Sequence, residues 1–359
     1  SLGSPALASS VIAFGATSPS GATLRYVGTE TAGHASDRVI NLSATGNATI
    51  EASGVGPLVL TGVNTATGSG SKTLTLGGTN TGNNSIGVIV NNTVANTTSV
   101  TKADAGTWVL SATNSYTGPT TVSAGKLIVN GSISTSSLTT VDTGAILGGS
   151  GTVGKTVVNG TLAVGNSPGA MTFTDTLTLA GSAVMEIDGT AGAGLTGGHD
   201  FVNLTGAGAA GALTYGGSMS LDMGVLFGLG SYSWNLFDMA SETGTFSSIS
   251  LADKYTGSLV NTSGVWDLVS GNDTWKFTES TGVLTLDVVP EPSINLLGSL
   301  GLLVLLRRRR VGARRCRLAR DRGWTAPSIE EAEQSDQGAA GHGERAARKG
   351  DVDHRFAPW

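Results

Sequence analysis

The sequence predicts an all-β fold of many short strands, followed by one short hydrophobic helix and a disordered polar tail. Three observations carry this. The 359 residues include 54 glycines, and only 13% are charged and 5% aromatic. Up to Val289 the apolar residues fall in short runs that alternate with Thr, Ser or Asn, the period-2 pattern of half-buried strands, and from Ala22 to about Val100 there is no helical periodicity of any length. Ile294 to Leu306 is then a Leu/Gly-rich apolar run closed by Arg307, Arg308, Arg309 and Arg310.

Residues 1–100 supply the first strands, among them Leu58-Val59-Leu60, Thr73 to Leu76 and Ile86 to Val90, separated by Gly, Asn, Ser and Thr. Thr, Val and Ile at alternate positions suit a pleated surface with one buried face. Residues 101–190 repeat this grammar more tightly. The expected strand cores are Trp108–Leu110, Lys126–Val129, Ala145–Leu147, Thr156–Val158, Thr161–Val164, Thr176–Leu179 and Ala183–Ile187. Short strands at near-regular spacing suit a solenoid in which each rung stacks on its neighbours. Asn130-Gly131 and Asn159-Gly160 are also strong hairpin dipeptides, since both residue types tolerate positive φ. On local chemistry alone, antiparallel hairpins in a sandwich are as compatible as parallel rungs.

Residues 191–289 hold more large side chains, including Tyr215, Trp234, Phe237, Trp266, Trp275 and Phe277. They suit a β-rich cap over the open end of a solenoid, with a strand expected in Tyr232 to Asp238. Exposure of Tyr215, Trp234, Trp266 and Trp275 on one flat face would mark a carbohydrate-binding surface, and their burial would support the cap role.

Charge and cysteine usage exclude several classes. Before Pro290 there are 8 Lys and Arg against 17 Asp and Glu, and after it 13 against 9. An acidic Gly/Thr/Ser-rich body has no electrostatic footprint for nucleic acid. Cys316 is the only cysteine, so the body has no disulfide, thiol nucleophile or thiolate metal site. Gly149 to Thr156 reads G-x-x-x-x-G-K-T, but a phosphate loop must open a helix, and Val157-Val158-Asn159-Gly160 reads as strand and turn. His34, His199, His342 and His354 are isolated. Asp200 beside His199 suits a turn that opens the next strand. The carboxylates Asp142, Asp175, Glu186 and Asp188 are scattered, and the only arginines before the apolar run are Arg25 and Arg38. A glycan lyase or hydrolase needs a charged cluster at its transition state. No enzyme and no cofactor are therefore expected.

The segment from Val289 has a definite order of parts: Pro290-Glu291-Pro292, the apolar helix, then the arginines. Ser293 to Leu306 would span roughly 21 Å of a hydrocarbon core about 30 Å thick. The guanidinium groups would stay at the cytoplasmic face. The segment resembles the PEP-CTERM sorting signal of exported bacterial proteins. The resemblance implies a processing partner of the exosortase type, a membrane contact through Ile294–Leu306 before processing, and the sorting signal in residues 290–310. It further implies inner-membrane anchoring first and then release to the cell surface or extracellular matrix of a Gram-negative-type bacterium. One departure is that Val311 to Trp359 follow the basic cluster, where the family signal ends; this Ala/Arg/Glu/Gly-rich stretch is expected to be disordered. Ser1-Leu2-Gly3-Ser4 has no charged n-region, so a removed signal peptide or a fragment is expected.

A second resemblance lies in the body. Ala105-Gly106-Thr107-Trp108-Val109-Leu110-Ser111, Asn114-Ser115-Tyr116-Thr117-Gly118, Thr120-Thr121-Val122 and Gly125-Lys126-Leu127 are similar to the autotransporter-associated β-strand repeat. That family implies a right-handed parallel β-helix in a secreted passenger, which favours rungs over hairpins. The expectation is therefore a non-catalytic exported surface or matrix protein whose Thr, Ser and Asn surface contacts extracellular polysaccharide. The alternatives are a carbohydrate-active β-helix enzyme or a carbohydrate-binding adhesin.

Overall fold

The computed structural model describes residues 11–15, 21–43, 47–91, 93, 95–206 and 211–290, and every regular element among them is a β-strand. A ten-stranded sheet I runs from Ala22–Tyr26 to Ser241–Gly244, and a five-stranded sheet III from Ser132–Ile133 to Phe237–Asp238. Sheet II begins with His34–Ser36 and stays parallel to Ser248–Asp253. A small sheet of Val11–Ala13, Val39–Leu42 and Thr65–Ala66 accompanies the first strands. Parallel partners lie a full circuit apart, as in Ala48 with Leu74, Val100 with Thr120, and Thr139 with Thr156. The chain fills each interval by visiting the other sheets. Thr139–Val141, Ile146–Gly149 and Thr152–Val153 belong to sheets I, II and III, and Thr156–Val158, Thr161–Val164 and Ala170–Phe173 repeat that order. This cyclic order of parallel strands is consistent with a solenoid.

The period-2 alternation decides which residues face inward. Along sheet I an inward file passes through Ile50, Leu76, Lys102, Val122, Val141, Val158, Leu179 and Tyr215. Along sheet II the corresponding file is Trp108, Leu127, Leu147, Leu162, Ala183, Met219 and Ile249, all buried. Adjacent strands are about 4.8 Å apart, so each apolar side chain packs on the one above and the one below. Full burial of each large aliphatic stabilises by about 1.5–3 kcal/mol.

Corners between circuits explain the glycine content. Gly160 and Gly181 each follow an Asn or Ala whose N–H shares one carbonyl with the glycine's own. Asn159 and Gly160 both donate to Val141 O, and Ala180 and Gly181 both donate to Val158 O. A Cβ on Gly160 would stand 2.3 Å from Ala145 O, one on Gly181 2.0 Å from Gly160 O, and one on Gly217 1.5 Å from Gly181 O. The same geometry decides the reading of Asn130-Gly131 and Asn159-Gly160. None of the four residues has positive φ, which the two-residue hairpin turn requires, and the strands they join pair in parallel with other circuits. The strand expected over Ile86 to Val90 ends at Ile86, because Gly87 and Val88 offer their carbonyls to the side chain of Asn64.

Residues 191–289 combine parallel strands with an antiparallel sheet. Ser248–Asp253 is continued by Gly257–Thr262, Val265–Ser270, Asp273–Thr278, Val283–Val288 and Gly230–Asn235, each antiparallel to its neighbour. One face of these strands buries Trp234, Trp266, Trp275 and Phe277. Phe246 lies 4.6 Å from Tyr215 and 6.2 Å from Phe277 between ring centroids, so the aromatic layer joins the last circuits to the antiparallel strands. The buried Glu279 reinforces the joint: its Oε1 accepts from the Thr245 hydroxyl, Phe246 N–H and Trp266 Nε1–H, each at 2.9 Å.

Candidate functional site

The outward positions of sheet I form a regular surface. Thr23, Thr49, Thr75, Thr101, Thr121 and Thr140 are successive register partners, Val157 takes the next place, and Thr178, Thr214 and Thr243 complete the file. The reason is local: in Thr73-Leu74-Thr75-Leu76 or Leu177-Thr178-Leu179 the apolar residues are inside, so the threonines are outside. In-register pairing then brings them into line at about 4.8 Å spacing. Thr214 and Thr243 hydroxyls are 3.2 Å apart. Each threonine presents one hydroxyl and one methyl group, without charge, and Val157 presents two methyl groups. Such a face hydrates readily and can exchange hydrogen bonds with the hydroxyls of a neutral glycan.

On sheet II the outward residues Val109 and Ile128 floor a shallow groove of about 330 Å³, walled by Ser85, Ser111, Asn83, Asn130 and Asn166. Asn166 Nδ2 donates to Asn130 Oδ1 at 3.0 Å and to Ser150 Oγ at 3.1 Å, which fixes the amide wall. An uncharged amide and hydroxyl rim around an apolar strip again suits a sugar more than an ion. A larger cavity of about 590 Å³ is lined by residues of the first strands, among them Leu24, Tyr26, His34 and Leu58. There Tyr26 stacks on His34 at 6.2 Å.

The densest titratable group surrounds Asp200. Its carboxylate accepts Gly169 N–H at 2.7 Å and Glu186 N–H at 2.8 Å, and burial pushes its pKa up to about 7, with Glu186 and Asp188 adding to the rise. Glu186 pairs in register with Asp222 on the outer face of sheet II. Chemically this could suggest an acid–base pair. However, Asp200 is 1% exposed with both oxygens held by backbone, so it cannot reach a substrate. It ties the base of the segment 188–200 to the neighbouring circuit and opens the strand Phe201–Leu204, the turn role read from the sequence. His199 is buried, its Nε2–H donates to Asn235 O at 3.1 Å, and its pKa is lowered by that burial. Among the described residues no three His, Cys, Asp or Glu side chains converge to hold a metal ion.

Two inward lysines escaped the sequence reading. Lys102 is fully buried, and its ammonium donates to Ala103 O at 2.5 Å, Asp104 O at 2.7 Å and Ala124 O at 2.9 Å. Burial lowers its pKa to about 8. Lys72 is likewise buried, donates to Ser69 O at 3.1 Å, and has its pKa lowered by burial. Both use three or two backbone carbonyls at a corner to satisfy a charge inside. Counting alternate positions along Thr98-Ser99-Val100-Thr101-Lys102 would have found the first.

Of the sorting-motif residues, Pro290 is exposed at the end of the described chain. Glu291, Pro292, Ile294–Leu306 and Arg307, Arg308, Arg309 and Arg310 lie outside the described residues, as do the tail and His342 and His354. Among the described residues no helix is long and apolar enough to cross a membrane. Tyr215, Trp234, Trp266 and Trp275 are all buried, which fits a cap and not an exposed aromatic platform. The G-x-x-x-x-G-K-T stretch runs through the strand Thr152–Val153, a corner and the strand Thr156–Val158, and no helix N-terminus follows its glycines.

Comparison with known proteins adds two findings. Residues 100–129 match the Passenger-associated-transport-repeat, a stretch that holds Trp108, Tyr116 and Lys102. The chain is also 35% identical over 120 residues to the adhesin BmaC autotransporter of Brucella suis biovar 1 (strain 1330). That match covers 33% of this chain and only 3% of the adhesin. No solved structure matches.

Proposed function

We propose that this chain is an exported, non-catalytic surface or matrix protein, a right-handed β-solenoid passenger whose outer faces contact neutral extracellular polysaccharide. The observation that carries the contact is the threonine file of sheet I, running nearly unbroken through its ten strands. The export reading is supported by the passenger-type repeat over residues 100–129 and by the similarity to part of an adhesin autotransporter. Delivery would use Pro290-Glu291-Pro292 as the motif read by an exosortase-type enzyme, with Ile294–Leu306 held in the inner membrane and the four arginines as its stop. Hydroxyl-to-hydroxyl contacts are individually weak, each worth about 0.5–1.5 kcal/mol net, so affinity would come from repetition along the file.

The experiment is co-sedimentation of the protein with neutral matrix polysaccharide, comparing wild type with Thr75→Lys/Thr101→Lys/Thr121→Lys. The substituted positions are outward, so folding should be kept and binding lost. Equal binding by both proteins would remove the threonine file from the account.

A further inference from the structure

We propose that the loop Val225–Leu229, together with Val289, is a membrane-facing foot that seats the folded body on a lipid surface. Leu226 and Leu229 are 70% and 67% exposed, and Val289 is 53% exposed. They are brought to one corner by register: Gly230, directly after Leu229, pairs with Val288, directly before Val289. The loop between them is held, not loose. Phe227 packs inward on Tyr232 and Trp234, at 4.8 and 5.0 Å between ring centroids. Its N–H donates to the Tyr255 hydroxyl at 2.9 Å, and the Tyr232 hydroxyl donates to Gly228 O at 3.0 Å. Two tyrosines thus fix the backbone while the leucines remain in solvent.

The occupant follows from where the chain goes next. Four residues separate Val289 from Ile294, five Cα–Cα steps with a reach of at most roughly 17 Å, and Ile294–Leu306 is the apolar run of the sequence. This rests on the reading of that run as a membrane segment: once it is in a bilayer, the foot is tethered at the interface. Charge does not supply the attraction. Asp273 and Asp287 flank this end of the strands, and Lys254 is paired with Asp253 at 2.9 Å. Contact is therefore apolar and gains nothing from anionic lipid, and it holds Pro290-Glu291-Pro292 near the membrane surface.

The test uses the full chain with Cys316→Ser, reconstituted in phosphatidylcholine vesicles. A polarity-sensitive dye is attached in turn at Leu229→Cys, at Leu300→Cys in the apolar run, and at Ser280→Cys in the turn at the far end of the same strands. The expected result is a blue shift and quenching by lipid-borne quencher for the labels at 229 and 300, with the label at 280 unchanged. A lipid-bound label at 300 with a water-exposed label at 229 overturns the foot and leaves the membrane segment standing. A lipid-bound label at 229 with a water-exposed label at 300 supports the foot and overturns the membrane segment. Labels at 229 and 280 that shift together, or a label at 229 shielded only by rising protein concentration, overturn it in favour of indiscriminate adsorption or a second copy.

Discussion

Replacing Trp108 tests the interior directly. Its indole is fully buried in the inward file of sheet II, between Asn84 and Leu127, and its Nε1–H donates to Gly77 O at 2.9 Å. Trp108→Ala removes the packing and leaves a cavity, for which about 3–5 kcal/mol of destabilisation is expected. Trp108→Phe keeps most of the contacts but leaves a buried carbonyl without its donor, so about 1–3 kcal/mol is expected. Because stacked units contact mainly their neighbours, the loss should be local. Urea unfolding followed by far-ultraviolet circular dichroism reads the magnitude. Amide exchange reads the place, with faster exchange in 98–129 and unchanged protection around Ile249. A Trp108→Ala cost under about 1 kcal/mol, or loosening spread evenly over the chain, would refute an interior built from neighbouring circuits.

Other expectations follow from single residues. Gly217→Ala should cost several kcal/mol because its Cβ would meet Gly181 O at 1.5 Å, whereas Gly144→Ala, with φ +84 and nothing within 4 Å, should cost only about 1–2 kcal/mol; equal unfolding midpoints would contradict the close-approach argument. Lys102 has a folded pKa near 8 against 10.5 when unfolded, so between those values the unfolded chain holds more protons and stability should rise with pH, by on the order of 2–3 kcal/mol. Unfolding midpoints at pH 7, 9 and 10.5 check this, and Lys102→Met should reduce the rise, leaving the part that comes from the buried Lys72. Glu279→Ala leaves the buried Phe246 and Trp266 donors unpaired and should destabilise the antiparallel strands by about 2 kcal/mol or more. Amide exchange over 257–288 measures it, and unchanged protection there would count against the joint.

Strand identity was legible because burial follows alternation: the expected strands Thr156–Val158 and Thr161–Val164 are those observed. Whether Tyr215, Trp234, Trp266 and Trp275 face inward was left open by the sequence, and the structure buries all four. Register was not legible. Circuit steps vary, from the 15 residues between Leu147 and Leu162 to the 36 between Leu179 and Tyr215, so no fixed period reveals that Thr75, Thr101, Thr121 and Thr140 stand in line. Asn-Gly dipeptides pointed equally to hairpins because glycine serves two needs, positive φ and close approach, and here the second applies. Lys72 and Lys102 sat at inward positions that alternation could show, but the carbonyls that satisfy them come from corner geometry. Asp200 was readable as a strand-opening turn residue; its two backbone partners, Gly169 and Glu186, belong to segments the sequence does not place beside it.

The most direct test of the account is the mass of the mature protein from native envelope and secreted fractions. A C-terminus within a few residues of Pro290–Pro292 in the secreted material is the predicted result, establishing processing and release of the folded body. An envelope-bound chain whose mass still includes Arg307–Arg310 and the stretch to Trp359 would contradict the sorting reading.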